Sequence, residues 1–191
     1  MANFPRKPGD RHRSLLEQNV LSSTIALASE YWQKQSVHLR PPADRADVLA
    51  AFSAFQKVPT GDVLELYERF DGFADDQYCQ NHFSLWPLAE IRTENAFNPT
   101  ADIWFADYLI SAHYFSLHAE DRDTSSVHVH YHYQNEQIES VRVADSLQQF
   151  LLLLVNDPES VHVFPLGEAD GDANNSQRSN WWQTVRDWLH F

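Results

Sequence analysis

The sequence predicts an α+β domain: N-terminal helices, a central antiparallel or mixed β-sheet, then a late helix and a C-terminal tryptophan-bearing helix. Two observations carry this. Apolar residues recur at helical spacing before Asp71 and again after Asp145. Between them the period shortens to two, in stretches rich in aromatic and β-branched residues.

Residues 1–13 carry Arg6, Lys7, Arg11 and Arg13 with two prolines and read as a mobile basic arm, leaving 14–191 as a single domain. Ser14-Leu15-Leu16-Glu17 has the form of a capping box, in which hydroxyl and carboxylate satisfy each other's backbone donors. It predicts an amphipathic helix over 15–35 with Leu16, Val20, Leu27 and Tyr31 in its stripe, flanked by Leu21, Ala28 and Trp32. After Pro41-Pro42, Asp44 should cap a second helix that buries Val48, Leu49, Phe52 and Phe55 and ends by Pro59. Thr60 should cap a third, striped by Val63, Tyr67 and Phe70, with Gly72 as a left-handed stop. Strands are predicted at 83–86, 103–105, 113–118, 126–133 and 138–143, with a brief helix at 88–96. The short polar connections between the later strands suit an antiparallel meander. Asp145 or Ser146 should cap an apolar helix running through Val155 to the stop at Asp157-Pro158. A short strand at 161–165, an acidic loop at 167–179 and a helix striped by Trp181, Trp182, Val185, Trp188 and Leu189 complete the chain. That tryptophan stripe reads first as core and second as a docking surface.

Charge and composition exclude several functions. Of 191 residues, 14 are basic and 27 acidic, so the net charge of −13 opposes direct binding to nucleic acid or to an anionic membrane surface. The longest apolar run, 150–155, is far shorter than the ~20 residues that span a bilayer. The basic N-terminus lacks the apolar stretch of a secretory signal, and one cysteine, Cys79, cannot make an intrachain disulfide; a cytoplasmic protein is expected. The five glycines, Gly9, Gly61, Gly72, Gly167 and Gly171, form no phosphate-cradling loop and no G-x-S-x-G elbow. No nucleotide cofactor is expected.

Four local patterns bear on chemistry. In 127–133 strand alternation puts His128, His130 and His132 on one face, where imidazoles two residues apart can share a metal. His113 would lie opposite His132 if the hairpin turned near 122–123. The plainer reading has the Val127, Val129, Tyr131 and Tyr133 face as core and the imidazoles on a partly solvated face, with no metal bound. Asp170-Gly171-Asp172 opens like a calcium loop, but Asn175 and Trp181 stand where that loop needs Gly and Glu. Aspartates beside Cys79 would raise its thiol pKa, which favours a structural cysteine. Acids cluster at Asp71, Asp75 and Asp76, at Glu120, Asp121 and Asp123, and at Glu168, Asp170 and Asp172, giving a field that would steer a basic partner.

Residues 58–73, VPTGDVLELYERFDGF, resemble the opening of the SUKH superfamily: a hydrophobic-Pro pair, a helix carrying a tyrosine, and an Asp-Gly ending. The similarity continues through Leu85-Trp86-Pro87-Leu88-Ala89-Glu90-Ile91, the aromatic strands, and Val143-Ala144-Asp145-Ser146-Leu147 opening the late helix, so it spans about 58–157. Family members often carry a glycine-rich turn before the central hairpin, whereas 105–111 has no glycine. The superfamily comprises Smi/Knr cell-wall regulators and bacterial toxin-immunity proteins. The resemblance therefore implies a non-enzymatic α+β binding module, most often an immunity protein that masks a toxin domain such as a nuclease. An intracellular scaffold or regulatory adaptor of the Smi/Knr type is the alternative, and a metal-binding protein using the histidine strand is a further one. Loop position and chemistry nominate Asp75, Asp76, Glu120, Asp121 and Asp123 as partner contacts, with Tyr78 and Trp86 as aromatic anchors.

Overall fold

A computed structural model describes residues 8–161 apart from 75, 76, 99, 110 and 133–137. Its centre is an antiparallel sheet of five strands in sequential order: β1 (Phe83–Leu85), β2 (Ile103–Tyr108), β3 (His113–Ala119), β4 (Ser125–His132) and β5 (Ile138–Ala144). One face carries Phe83, Leu85, Phe105, Phe115, Leu117, Val127 and Val129, all buried. The helices α1 (Pro8–Lys34), α3 (Gly61–Tyr67) and α5 (Leu147–Asn156) pack together on that side. Phe150 of α5 meets the rings of Phe83, Phe105 and Phe115 at centroid distances of 5.9, 5.8 and 5.1 Å. Trp32 of α1 stacks on Phe83 and meets Phe70 and Phe73 edge-on. The helices α2 (Arg45–Ser53) and α4 (Leu88–Asn95) pack on each other, and α4 on β2. Among the described residues no helix is long and apolar enough to cross a membrane.

Several boundaries and faces differ from expectation. The first helix begins at Pro8, within the stretch expected as an arm, so the Ser14–Glu17 pattern lies inside the helix. Proline suits a first turn because its missing N–H would have no partner there. Its buried face is Leu21, Ile25, Ala28 and Trp32, while Val20 and Leu27 are 49% and 42% exposed. Trp32 decides this rotation, since the largest side chain must face the aromatic cluster. On α2, Val48, Ala51 and Phe52 share the inward arc and leave Leu49 outside it, 41% exposed. Ser146 is the cap of α5: its hydroxyl accepts Gln149 N–H at 3.0 Å, and Gln149 Oε1 accepts Asp145 N–H at 2.8 Å, a reciprocal pair. Val161 closes a 3-10 turn, Pro158–Val161. The remainder of the expected strand at 161–165, the acidic loop and the tryptophan helix lie outside the described residues.

Glycine scarcity has a structural answer. Ser36 and Gln56, just after α1 and α2, take left-handed φ values of 66° and 59°. The β2–β3 turn uses Leu109 (φ 51°) and Ser111 (φ 64°), left-handed positions at which glycine is the usual residue. Asp107 holds that turn, its carboxylate accepting the Ser111 N–H at 2.7 Å and Oγ–H at 3.2 Å. A side chain thus stabilises a conformation that glycine would adopt freely.

Candidate interaction surface

The β3–β4 turn, 120–124, is fixed from within and from below. Asp121 Oδ1 accepts the N–H groups of Asp123 and Thr124 at 2.7 and 2.8 Å. The Arg122 and Asp123 carbonyls accept the N–H groups of Gly61 and Asp62, each at 3.0 Å. Those donors belong to the first turn of α3, which has no intrahelical acceptor for them. The strand turn therefore caps the helix, leaving the Thr60 hydroxyl to another task. It donates to the Asp62 carboxylate, which also accepts Val63 N–H at 2.9 Å, Ser125 N–H at 2.8 Å and Ser125 Oγ–H at 3.3 Å. Burial raises the Asp62 pKa, and these hydrogen bonds oppose the rise.

Glu120, Asp121 and Asp123 are exposed on this anchored turn. Glu120 accepts from Ser126 Oγ at 2.7 Å and pairs with Arg142 at 3.1 Å; Arg142 also reaches Asp145 at 3.0 Å. The Ser126 bond, helped by Arg142, lowers the Glu120 pKa. These three carboxylates are thus brought together in one place.

The aromatic anchors are elsewhere. Trp86 is 1% exposed, which overturns its expected role as a surface anchor. Its Nε1–H donates to Asp107 at 3.2 Å and its ring meets Tyr114 edge-on, so it belongs to the core. Tyr78 is half-buried and donates to the same Asp107 at 2.9 Å. Asp107 is paired with Tyr114 near the start of β3, whereas the acidic turn follows its end, roughly 17 Å away at ~3.4 Å per residue. Asp75 and Asp76 lie outside the described residues.

The described histidine side chains do not converge either; that of His132 lies outside the described residues. His113 pairs with Tyr131 rather than His132. By alternation along β3 it shares a face with Phe115 and Leu117, opposite to that of Ser116 and His130. His130 is 1% exposed, against the expected solvated face, with Nε2 2.6 Å from Ser116 Oγ and its ring beside Trp104. His128 lies further along the face, its ring nitrogens 3.2 Å from Ser126 Oγ and 3.3 Å from Ser140 Oγ. Its neighbour His118 meets Asp102 at 3.0 Å. Among the described residues no group of three or more His, Cys, Asp or Glu is arranged to hold a metal. Cys79 is buried, and burial raises its pKa, in keeping with a structural thiol.

No protein-family model and no curated protein matches this chain. The surface is therefore read on its own chemistry. Sequence reasoning found the acids of the turn but missed their anchorage on α3 and the His118–Asp102 pair, which join residues far apart in the chain.

His128 gives the surface a pH dependence. Burial lowers its pKa below the ordinary 6.5; His118 and Arg142 lower it further, and Asp102 and Glu120 oppose them. The unfolded chain then takes up the proton first, so stability falls as pH drops from 6.5 through the folded value. Asp62 and Asp107, with raised values, act with the opposite sign at lower pH. Melting curves of His128→Gln should therefore fall less steeply between about pH 7 and 5 than those of the wild type. Parallel curves would contradict this.

Proposed function

We propose that the chain is a non-enzymatic protein-binding module of the SUKH kind, acting as an immunity protein that covers the active surface of a basic toxin domain, such as a nuclease. The observation that carries the reading is the exposed acidic turn of Glu120, Asp121 and Asp123, held rigidly by α3. A fixed acidic surface on a chain of net charge −13 suits a partner whose own cleft is basic for phosphate. Holding the carboxylates in place before association lowers the entropy lost on binding.

The test begins with co-purification of the full chain with the product of the neighbouring gene. Given such a pair, the triple variant Glu120→Gln, Asp121→Asn, Asp123→Asn should associate on the order of tenfold more slowly at low salt, with a flatter salt dependence. The amide side chains keep an acceptor oxygen for the turn, so melting should change little. An unchanged association rate would remove the electrostatic basis. A scaffold or adaptor role is favoured by one separate observation: Val20 and Leu27 stand exposed one heptad apart on α1, as on a docking helix. Recovery of several unrelated partners through that face would select it.

A further inference from the structure

An open cavity of about 210 Å³ lies between the end of α2, the start of α3 and the adjoining ends of β2 and β3. Its walls are largely apolar, with Phe52, Val58, Pro59, Val63, Ile103 and Leu117 contributing. An apolar cavity of about 150 Å³ accepts a benzene ring, so this one has room for a single large side chain. The hydroxyls of Thr60 and Ser125 also line it, but both are engaged with the buried Asp62. The floor therefore asks for no polar group from an occupant.

The mouth has a different character. Val58, 79% exposed, stands at the lip. Phe97, 84% exposed, precedes Asn98, whose amide donates to the Asp102 carbonyl at 2.7 Å on the same rim. Ala119 and Ser125 both line the cavity and bracket the acidic turn. Those positions, and the bonds from Gly61 and Asp62 N–H to the Arg122 and Asp123 carbonyls, set the acidic turn beside the cavity, while Asp102, which lines it, is paired with His118 at 3.0 Å. Lys57 and His118 line the cavity, Arg122 lies on the turn and Arg142 engages Glu120, which leaves Asp121 and Asp123 as the carboxylates offered to a partner.

We infer that this cavity is an anchor pocket for a partner segment that inserts one apolar side chain, flanked by Lys or Arg that pair with the acidic rim. The inference rests on the protein-binding reading and gives it a specific contact. Apolar insertion supplies the desolvated centre of an interface, and the rim charges select the sign of the partner.

The probe is the acetylated, amidated tripeptide Arg-Leu-Lys, titrated into the isotope-labelled full chain and followed by amide NMR shifts. Saturable shifts are expected at Val58, Val63, Ala101 and Ala119, with at least tenfold weaker binding of Glu-Leu-Glu and of Arg-Ser-Lys. Ala101→Trp, an exposed position on the cavity wall, should abolish binding while leaving the melting temperature near that of wild type. Absence of saturable shifts, shifts elsewhere, or equal binding by Ala101→Trp would overturn the pocket. Shifts at these residues that depend on protein concentration alone, or on deletion of residues 1–7, would assign the cavity to a second copy or to the chain's own arm and likewise overturn it. A co-purified partner that binds wild type and Ala101→Trp equally would refute the pocket and leave the protein-binding reading standing. Failure to find any partner would strike that reading instead.

Discussion

Replacing Gly72 with alanine is expected to lower the melting temperature by roughly 10 °C, from a cost of about 3–4 kcal/mol. Gly72 has a φ of 71°, which an alanine adopts only with strain. More severely, a Cβ built there would lie 2.5 Å from the backbone of Trp86 and Pro87. Those atoms cannot retreat, because the junction is tied on several sides. Tyr67 Oη donates to the Trp86 carbonyl at 3.0 Å, Phe73 N–H to the Leu85 carbonyl at 2.8 Å, and Leu88 N–H to the Asp71 carboxylate at 2.7 Å. Gly72→Asn separates the two causes. Asparagine tolerates the left-handed region, so a near-normal melting temperature for it would refute the close-approach argument and leave only backbone strain.

This junction also shows what could be read in the sequence. The tyrosine-bearing helix and the strand before Pro87 are legible from punctuation and spacing; Gly72 takes the expected left-handed φ but does not stop the helix, which ends at Tyr67 with Glu68 as its cap. Also legible are β3, β4 and β5, from aromatic residues in β3, the Val-His alternation of β4 and the β-branched residues of β5. What escaped was anything decided between elements. The α1 stripe turned because Trp32 meets Phe70, Phe73 and Phe83, which lie far along the chain. The left-handed turn at Leu109 and Ser111 gave no local signal, since it is secured by a carboxylate from β2 rather than by glycine. For the surface, the acids were legible as residues. Their rigidity was not, because it comes from first-turn amides of α3 that bond to the Arg122 and Asp123 carbonyls, about 60 residues along the chain.

Trp86→Ala should cost about 4 kcal/mol in denaturant unfolding, within the range for truncating a buried aromatic side chain. It should affect binding only through loss of folded protein. The distinction matters because tryptophan beside an acidic loop invites reading as an anchor. Here the ring is 1% exposed and its Nε1–H is one of the donors that gather on Asp107, with Tyr78 and Ser111. Asp107 is itself buried, and burial raises its pKa, against which Tyr78, Ser111 and Trp86 supply hydrogen bonds. Truncating Trp86 therefore opens a cavity and withdraws a bond from a carboxylate that already bears a desolvation cost. Trp86→Phe keeps one ring but loses the N–H and part of the buried volume, so a cost of about 2–3 kcal/mol is expected, below that of alanine. Both variants, once folded, should associate with a partner at the wild-type rate. A slower association of folded Trp86→Phe, with stability little changed, would return Trp86 to the surface and contradict the packing described here.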